Sequence, residues 1–300
     1  MQTLEIVDTF LAFLDYWESC RGLPLEVQIE KWSQGYLSPW PDLLAMQVED
    51  YLAQEIDWRV IARERIFPHF VERLPAMDTA HTNLLAVGES VYERALEKLE
   101  VSTPAVFVIH VGIGCGAGWV TRFRDKHAIL FGLENIAECG WQGRDAIIGL
   151  VAHEMGHLVH NTWREGHQLS MGSGPWWQMY EEGFAQYCES LVSGGQSWHQ
   201  AQSDSEWLDW CQDNLGWLAA EFIRMVDQGE SVRPFFGSWF DLRGKRQTGY
   251  YLGCEVVKAL ADERSVQEIA LLTDPEKAMR PILELMADRS TGDGRRRTGD

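Results

Sequence analysis

A chain of 300 residues with 45% apolar content and 14 tryptophans can bury a substantial core, as one large domain or two intimate ones. Its formal charge of −19 argues against nucleic acid and anionic membranes as partners and leaves the substrate open. An acidic N-terminus without a signal-peptide pattern, no run near the ~18 apolar residues of a membrane span, and six scattered cysteines without C-x-x-C spacing read as a cytoplasmic chain with reduced thiols.

Residues 1–103 are expected to form an N-terminal helical region. Leu4, Val7, Leu11 and Leu14 recur at helix spacing, so residues 1–20 read as one acidic amphipathic helix. Pro39 and Pro41 flank Trp40 ahead of Asp42, an N-cap for a helix through the sixties. Pro68 and Pro75 interrupt that region, and another helix is expected over 81–99. At Pro104 the character changes. Residues 105–111 are short and β-branched, as a buried strand should be, and 127–131 supply a second strand. Between them Gly112, Gly114, Gly116 and Gly118 mark a turn-rich loop that lacks a phosphate-binding pattern.

Asp145 then opens a helix containing His153-Glu154-Met155-Gly156-His157, an H-E-x-x-H sequence. Residues four apart share a helix face, so both imidazoles can address one ion, and Glu154 beside them can accept a proton from metal-bound water. Ile147, Ile148, Leu150, Val151, Met155 and Leu158 make this helix apolar on most sides, hence central and buried. A catalytic zinc needs a third protein ligand. The metzincin continuation fails, because His160 and Trp163 stand where Gly and His are required. His160 lies two turns from His153, too far to join the same ion, and packing or the rim of the cleft is its expected use. Glu165 and His167 in the following loop, and Glu181 and Glu182 on the next expected helix, remain as candidates. Beyond it, 204–226 and 250–260 read as helices and 290–300 as a disordered tail. Trp176 and Trp177 suit aromatic walls near a cleft, while Arg243, Lys245 and Arg246 form a basic cluster able to bind a carboxylate or simply solvated.

Glu182-Gly183-Phe184-Ala185-Gln186-Tyr187-Cys188-Glu189 resembles the E-G-F-A-x-Y-x-E segment of gluzincin aminopeptidases, whose first Glu binds zinc. That resemblance selects Glu182 over Glu181. Gly183 would let a neighbouring helix approach closely, and Glu189 would orient a histidine from behind or lie solvated. The stretch from Thr248 to Val257 resembles an element of small zinc-dependent proteases of the DUF2268 type. A downstream gluzincin tyrosine commonly stabilises the oxyanion; mapped by position it is Tyr250, with Tyr251 as rival. Gly132-Leu133-Glu134-Asn135 resembles the G-x-M-E-N element of the M1 aminopeptidases, in which Glu134 would bind a substrate amine.

The resemblance implies an α+β, mainly helical fold. A zincin-like catalytic core over 104–289 would have a small β-sheet next to the H-E-x-x-H helix, flanked by N- and C-terminal helices. It implies a zinc metallopeptidase acting on peptides or proteins, with one Zn²⁺ held by His153, His157 and Glu182, Glu154 as general base and Tyr250 as oxyanion donor. The 127–131 strand is expected to border the cleft and pair with an extended substrate. An aminopeptidase using Glu134 and a non-catalytic zinc-binding module are the alternatives.

Overall fold

The computed structural model describes residues 4–195, 197–237 and 239–293. It is mainly helical, 66% helix, with one small mixed sheet. The chain divides into two compact units, residues 1–96 with 102–154 and residues 97–101 with 155–300.

The first unit begins with β1 (Leu4–Asp8), followed by α1 (Phe10–Cys20), α2 (Leu25–Lys31), α3 (Pro41–Ala53), α4 (Trp58–Ile61) and the long α5 (Phe70–Lys98). Then come β2 (Ala105–His110), β3 (Gly118–Phe123), β4 (Lys126–Gly132), α6 (Leu133–Cys139) and the start of α7 (Arg144–Gly166). The sheet order is β1-β2-β4-β3, with β1, β2 and β4 parallel and β3 antiparallel to β4. All six residues of β2 are buried, which explains its unbroken apolar run: an interior parallel strand is covered on both faces. On one side Gly88 and Tyr92 of α5 pack against Phe107, and the Tyr92 hydroxyl donates to the Thr103 carbonyl. A second cluster joins Phe13, Tyr16 and Trp17 of α1 to Tyr36 and Phe70.

Three sequence expectations are corrected here. Residues 4–8 are a strand rather than the start of a helix: parallel pairing with β2 from Leu4↔Ala105 to Asp8↔Ile109 outweighs the helical spacing of Leu4 and Val7. Residues before and after Pro104 therefore share one sheet. Pro75 lies inside α5 without ending it, in the second turn, where the orphaned carbonyl is that of the solvent-exposed Val71. The helix expected from an Asp42 cap starts one residue earlier, with Trp40 at the N-cap, Pro41 at the first helical position and Asp42 in the first turn, and it stops at Ala53; Glu55 takes a positive φ of 59°, and Asp57 accepts from the Arg59 amide to start α4.

The second unit takes over within α7 and holds α8 (Pro175–Ser193), α9 (Trp207–Asp213), α10 (Leu215–Asp227), α11 (Arg233–Phe236), α12 (Thr248–Ala261), α13 (Val266–Ala270) and α14 (Pro275–Asp293). The helix expected over 204–226 is two helices joined at Asn214. The expected disordered tail is helical from 290 to 293 as the end of α14, and 294–300 lie outside the described residues. Close packing of α8 on α12 rests on a glycine pair: a Cβ at Gly183 would strike the Gly253 backbone, and one at Gly253 would sit 2.6 Å from the Met179 carbonyl oxygen. The helix approach expected of Gly183 is thus present. Among the described residues no helix is long and apolar enough to cross a membrane, and all six cysteines are free.

Candidate metal centre

The site is built on α7 and α8. Ile147, Leu150, Val151 and Leu158 bury α7, carrying His153 and Glu154 inward with them; these two are 2% and 6% exposed. Because α7 is one unbroken helix, His157 follows His153 by a single turn on the same face. α8 starts at Pro175, whose fixed φ and missing N–H suit the first helical position, and stops at the left-handed Gly194. Midway along it, Glu182 Oε2 comes within 3.3 Å of His157 Nε2. One ligand atom each from His153, His157 and Glu182 lies within 4.8 Å of the others. Two donors ~2.1 Å from a tetrahedral ion are ~3.4 Å apart, so the His157–Glu182 spacing fits such an ion, and the three residues offer it two nitrogens and one carboxylate oxygen.

A second group, His153, Glu189 and His199, meets the same distance limit and is fully buried. Glu189 is already committed to protein donors. Its oxygens accept from Gln186 Nε2 at 2.7 Å, Ser197 Oγ at 2.8 Å, His199 Nδ1 at 2.8 Å and the His199 amide at 3.2 Å. These four bonds engage both carboxylate oxygens with protein donors. The histidine it orients is His199, at the start of a 3-10 turn over His199–Ser203, where no ligand spacing in the sequence points to it.

Glu154 meets the sheet at Gly118, the first residue of β3. A Cβ there would run into the Glu154 carboxylate, so glycine is what lets the strand pass this close to the acid. β3 is also the edge of the sheet on this side. The strand expected to border a substrate, 127–131, is instead β4, hydrogen-bonded on both sides by β2 and β3. Its backbone groups are spent in the two ladders, and an edge role passes to β3.

Glu134 is placed differently from the amine-binding role its resemblance implied. It is 1% exposed, and its two oxygens accept from the amides of Gly112 at 2.7 Å and Gly114 at 3.0 Å. Burial raises its pKa to about 7 despite these bonds. Both of its carboxylate oxygens hold the glycine loop. His160 is a packing residue: fully buried, pushed down to about 3 by desolvation, and paired through Nε2 with the Tyr180 hydroxyl at 3.1 Å. His167 is exposed and bonds the Trp163 carbonyl, and neither it nor Glu165 belongs to a metal-binding group among the described residues.

Of the two tyrosines, Tyr251 is 4% exposed and packed between Trp198 and Trp207, whereas Tyr250 is half-buried at the start of α12 against Phe236. The basic cluster is partly committed elsewhere, with Arg243 over the Trp217 ring at 3.6 Å and Lys245 paired with Asp204 at 2.6 Å. Trp177 lines a 420 Å³ pocket with Glu181 and Arg233 and, on another side, a 370 Å³ pocket with Arg164 and Trp176, and His153, Glu154, His157 and Glu182 line neither. No protein-family model, curated protein or solved structure matches the chain.

Proposed function

We propose that this chain is a zinc-dependent peptidase of zincin-like construction, with His153, His157 and Glu182 as the metal ligands and Glu154 as general base. The observation that carries the reading is the convergence of those three donors beside an acidic side chain on the same turn of α7. When bound, the ion would supply Lewis acidity, lowering the pKa of a coordinated water toward ~7 and polarising the scissile carbonyl.

The remaining steps belong to the chain's own groups. Glu154 takes the proton of the attacking water and returns it to the leaving amine nitrogen. Tyr250 is the proposed hydroxyl donor to the oxyanion, since Tyr251 is enclosed in an aromatic cluster. β3 offers an edge to an extended peptide, which would be held through its main chain with little side-chain selection. The engagement of Glu134 by two loop amides favours no aminopeptidase-specific role for it.

The purified chain should hold about one zinc per molecule. His153→Ala should lose the metal. Glu154→Gln should keep it and lose cleavage of both free and N-acetylated peptides by roughly two orders of magnitude or more. Normal turnover by Glu154→Gln would remove the general base from the scheme. A wild-type chain that binds zinc and cleaves nothing would leave a metal-binding module in place of a peptidase.

A further inference from the structure

The second histidine of the motif has a neighbour on each side of its ring. His157 Nε2 lies 3.3 Å from Glu182 Oε2, and Nδ1 lies 4.0 Å from Glu181 Oε1. Adjacent residues on a helix point about 100° apart, so consecutive glutamates of α8 reach one imidazole from two directions. Glu181 is also tethered. Trp177, one turn earlier, donates its indole N–H to Glu181 Oε2 at 3.0 Å.

Trp177 is in turn held fast. The Arg164 guanidinium lies 4.7 Å over its ring, His160 stacks on it at 5.8 Å and 19°, and Tyr180 meets it edge-on. Arg164 is 3% exposed and donates to the carbonyls of Ser170, Ala270 and Leu272. A chain of contacts thus runs from three main-chain carbonyls through Arg164 and Trp177 to Glu181 and the ring of His157.

We propose that Glu181 is a positioning residue for the metal centre: it receives the Nδ1 proton of His157, so that Nε2 is presented toward Glu182, and Trp177 fixes the carboxylate for that task. The inference rests on the metal reading above. An imidazole that ligates through Nε2 carries its proton on Nδ1, and a carboxylate acceptor there locks the tautomer and ring orientation while strengthening the ligand. A 4.0 Å separation is beyond a direct hydrogen bond, and a small rotation of Glu181 or one bridging water closes it.

The test uses the full chain as wild type, E181A, E181Q and W177F. Zn²⁺ affinity is read by competition with a chromogenic chelator, the Co²⁺-loaded forms are compared by visible spectroscopy, and the metal-free fold is followed by circular dichroism. E181A should bind zinc about 10- to 100-fold more weakly. E181Q should lose less, because its one carbonyl oxygen can still accept from Nδ1, and should shift the cobalt bands. W177F, which leaves Glu181 in place but untethered, should weaken binding in the same direction. Zinc affinity within twofold of wild type in E181A, or an unchanged affinity and cobalt spectrum in E181Q should E181A fail to fold, overturns the proposal. A wild-type chain that binds no zinc overturns the metal reading and this inference with it, whereas tight wild-type binding with an indifferent Glu181 overturns the inference alone.

Discussion

Glu134 and His110 are buried close together in the first unit, both within reach of the Gly112 backbone, and burial shifts them in opposite senses. Glu134 rises from 4.5 to about 7, so between those values the folded chain holds a proton that the unfolded chain has released. Its contribution to stability is greatest below pH 4.5 and declines as the pH rises toward 7. His110 falls from 6.5 to about 4, so its contribution grows as the pH rises through that window. The two nearly offset, and a subtraction isolates the first. The stability of wild type minus that of Glu134→Gln, from urea unfolding, should fall by on the order of 3 kcal/mol between pH 4.5 and 7 and then level off. A difference that stays flat or rises across that range contradicts the assignment. The histidine pair and its neighbouring acid were legible in the sequence because a single helical turn fixes their geometry. The engagement of Glu134 was not, since no spacing rule states where the amides of a glycine loop point. His199 was hidden for the same reason, as its partnership with Glu189 is a tertiary contact across ten residues that no spacing rule announces.

Among the elements, α7 and β2 were readable because each has one dominant signal, a buried apolar run or an unbroken β-branched stretch, and α8 because glycines and a proline set it off from α7. β1 was misread because five residues fit either periodicity, and only the partner strand decides. β3 was passed over because it begins at the last glycine of a loop and carries mixed residues, as an edge strand does. The α8–α12 contact is the element-scale feature with the clearest consequence for the site. Gly183 adjoins Glu182 and touches Gly253 backbone to backbone, so an added methyl must push the helices apart. Gly183→Ala should destabilise the fold by about 1–3 kcal/mol, the usual cost of overpacking a tight contact, in spite of the gain in helix propensity. It should also weaken zinc binding by displacing Glu182. Thermal unfolding and chelator competition measure the two effects, and a stabilised variant would show that the helices have room to spare.

At the scale of the whole molecule, the charge of −19 opposes compaction and shapes the field met by an approaching substrate. Raising ionic strength from ~0.01 to ~0.15 M shortens the Debye length from ~30 to ~8 Å. The unfolding midpoint should therefore rise with added sodium chloride. Under the peptidase reading, cationic peptides should be cleaved with a higher kcat/KM than anionic ones at low salt, and the ratio should shrink as salt increases. A preference for anionic peptides would mean that local charges near the site outweigh the global field. Composition alone carries this expectation, whereas the way the chain divides, with one boundary inside α7, could not be read from linkers because no linker marks it.

Arg164 carries one more implication, for how this protein can vary. Its hydrogen bonds to Ser170, Ala270 and Leu272 all end on main-chain oxygens. A carbonyl oxygen is supplied by every amino acid, so substitution at those three positions leaves this network its acceptors. The donor side has no such freedom. Lysine offers the same charge without a planar fork to span three carbonyls while stacking on Trp177. Within this network the constraint therefore falls on a single codon, and the three acceptor positions are released from it.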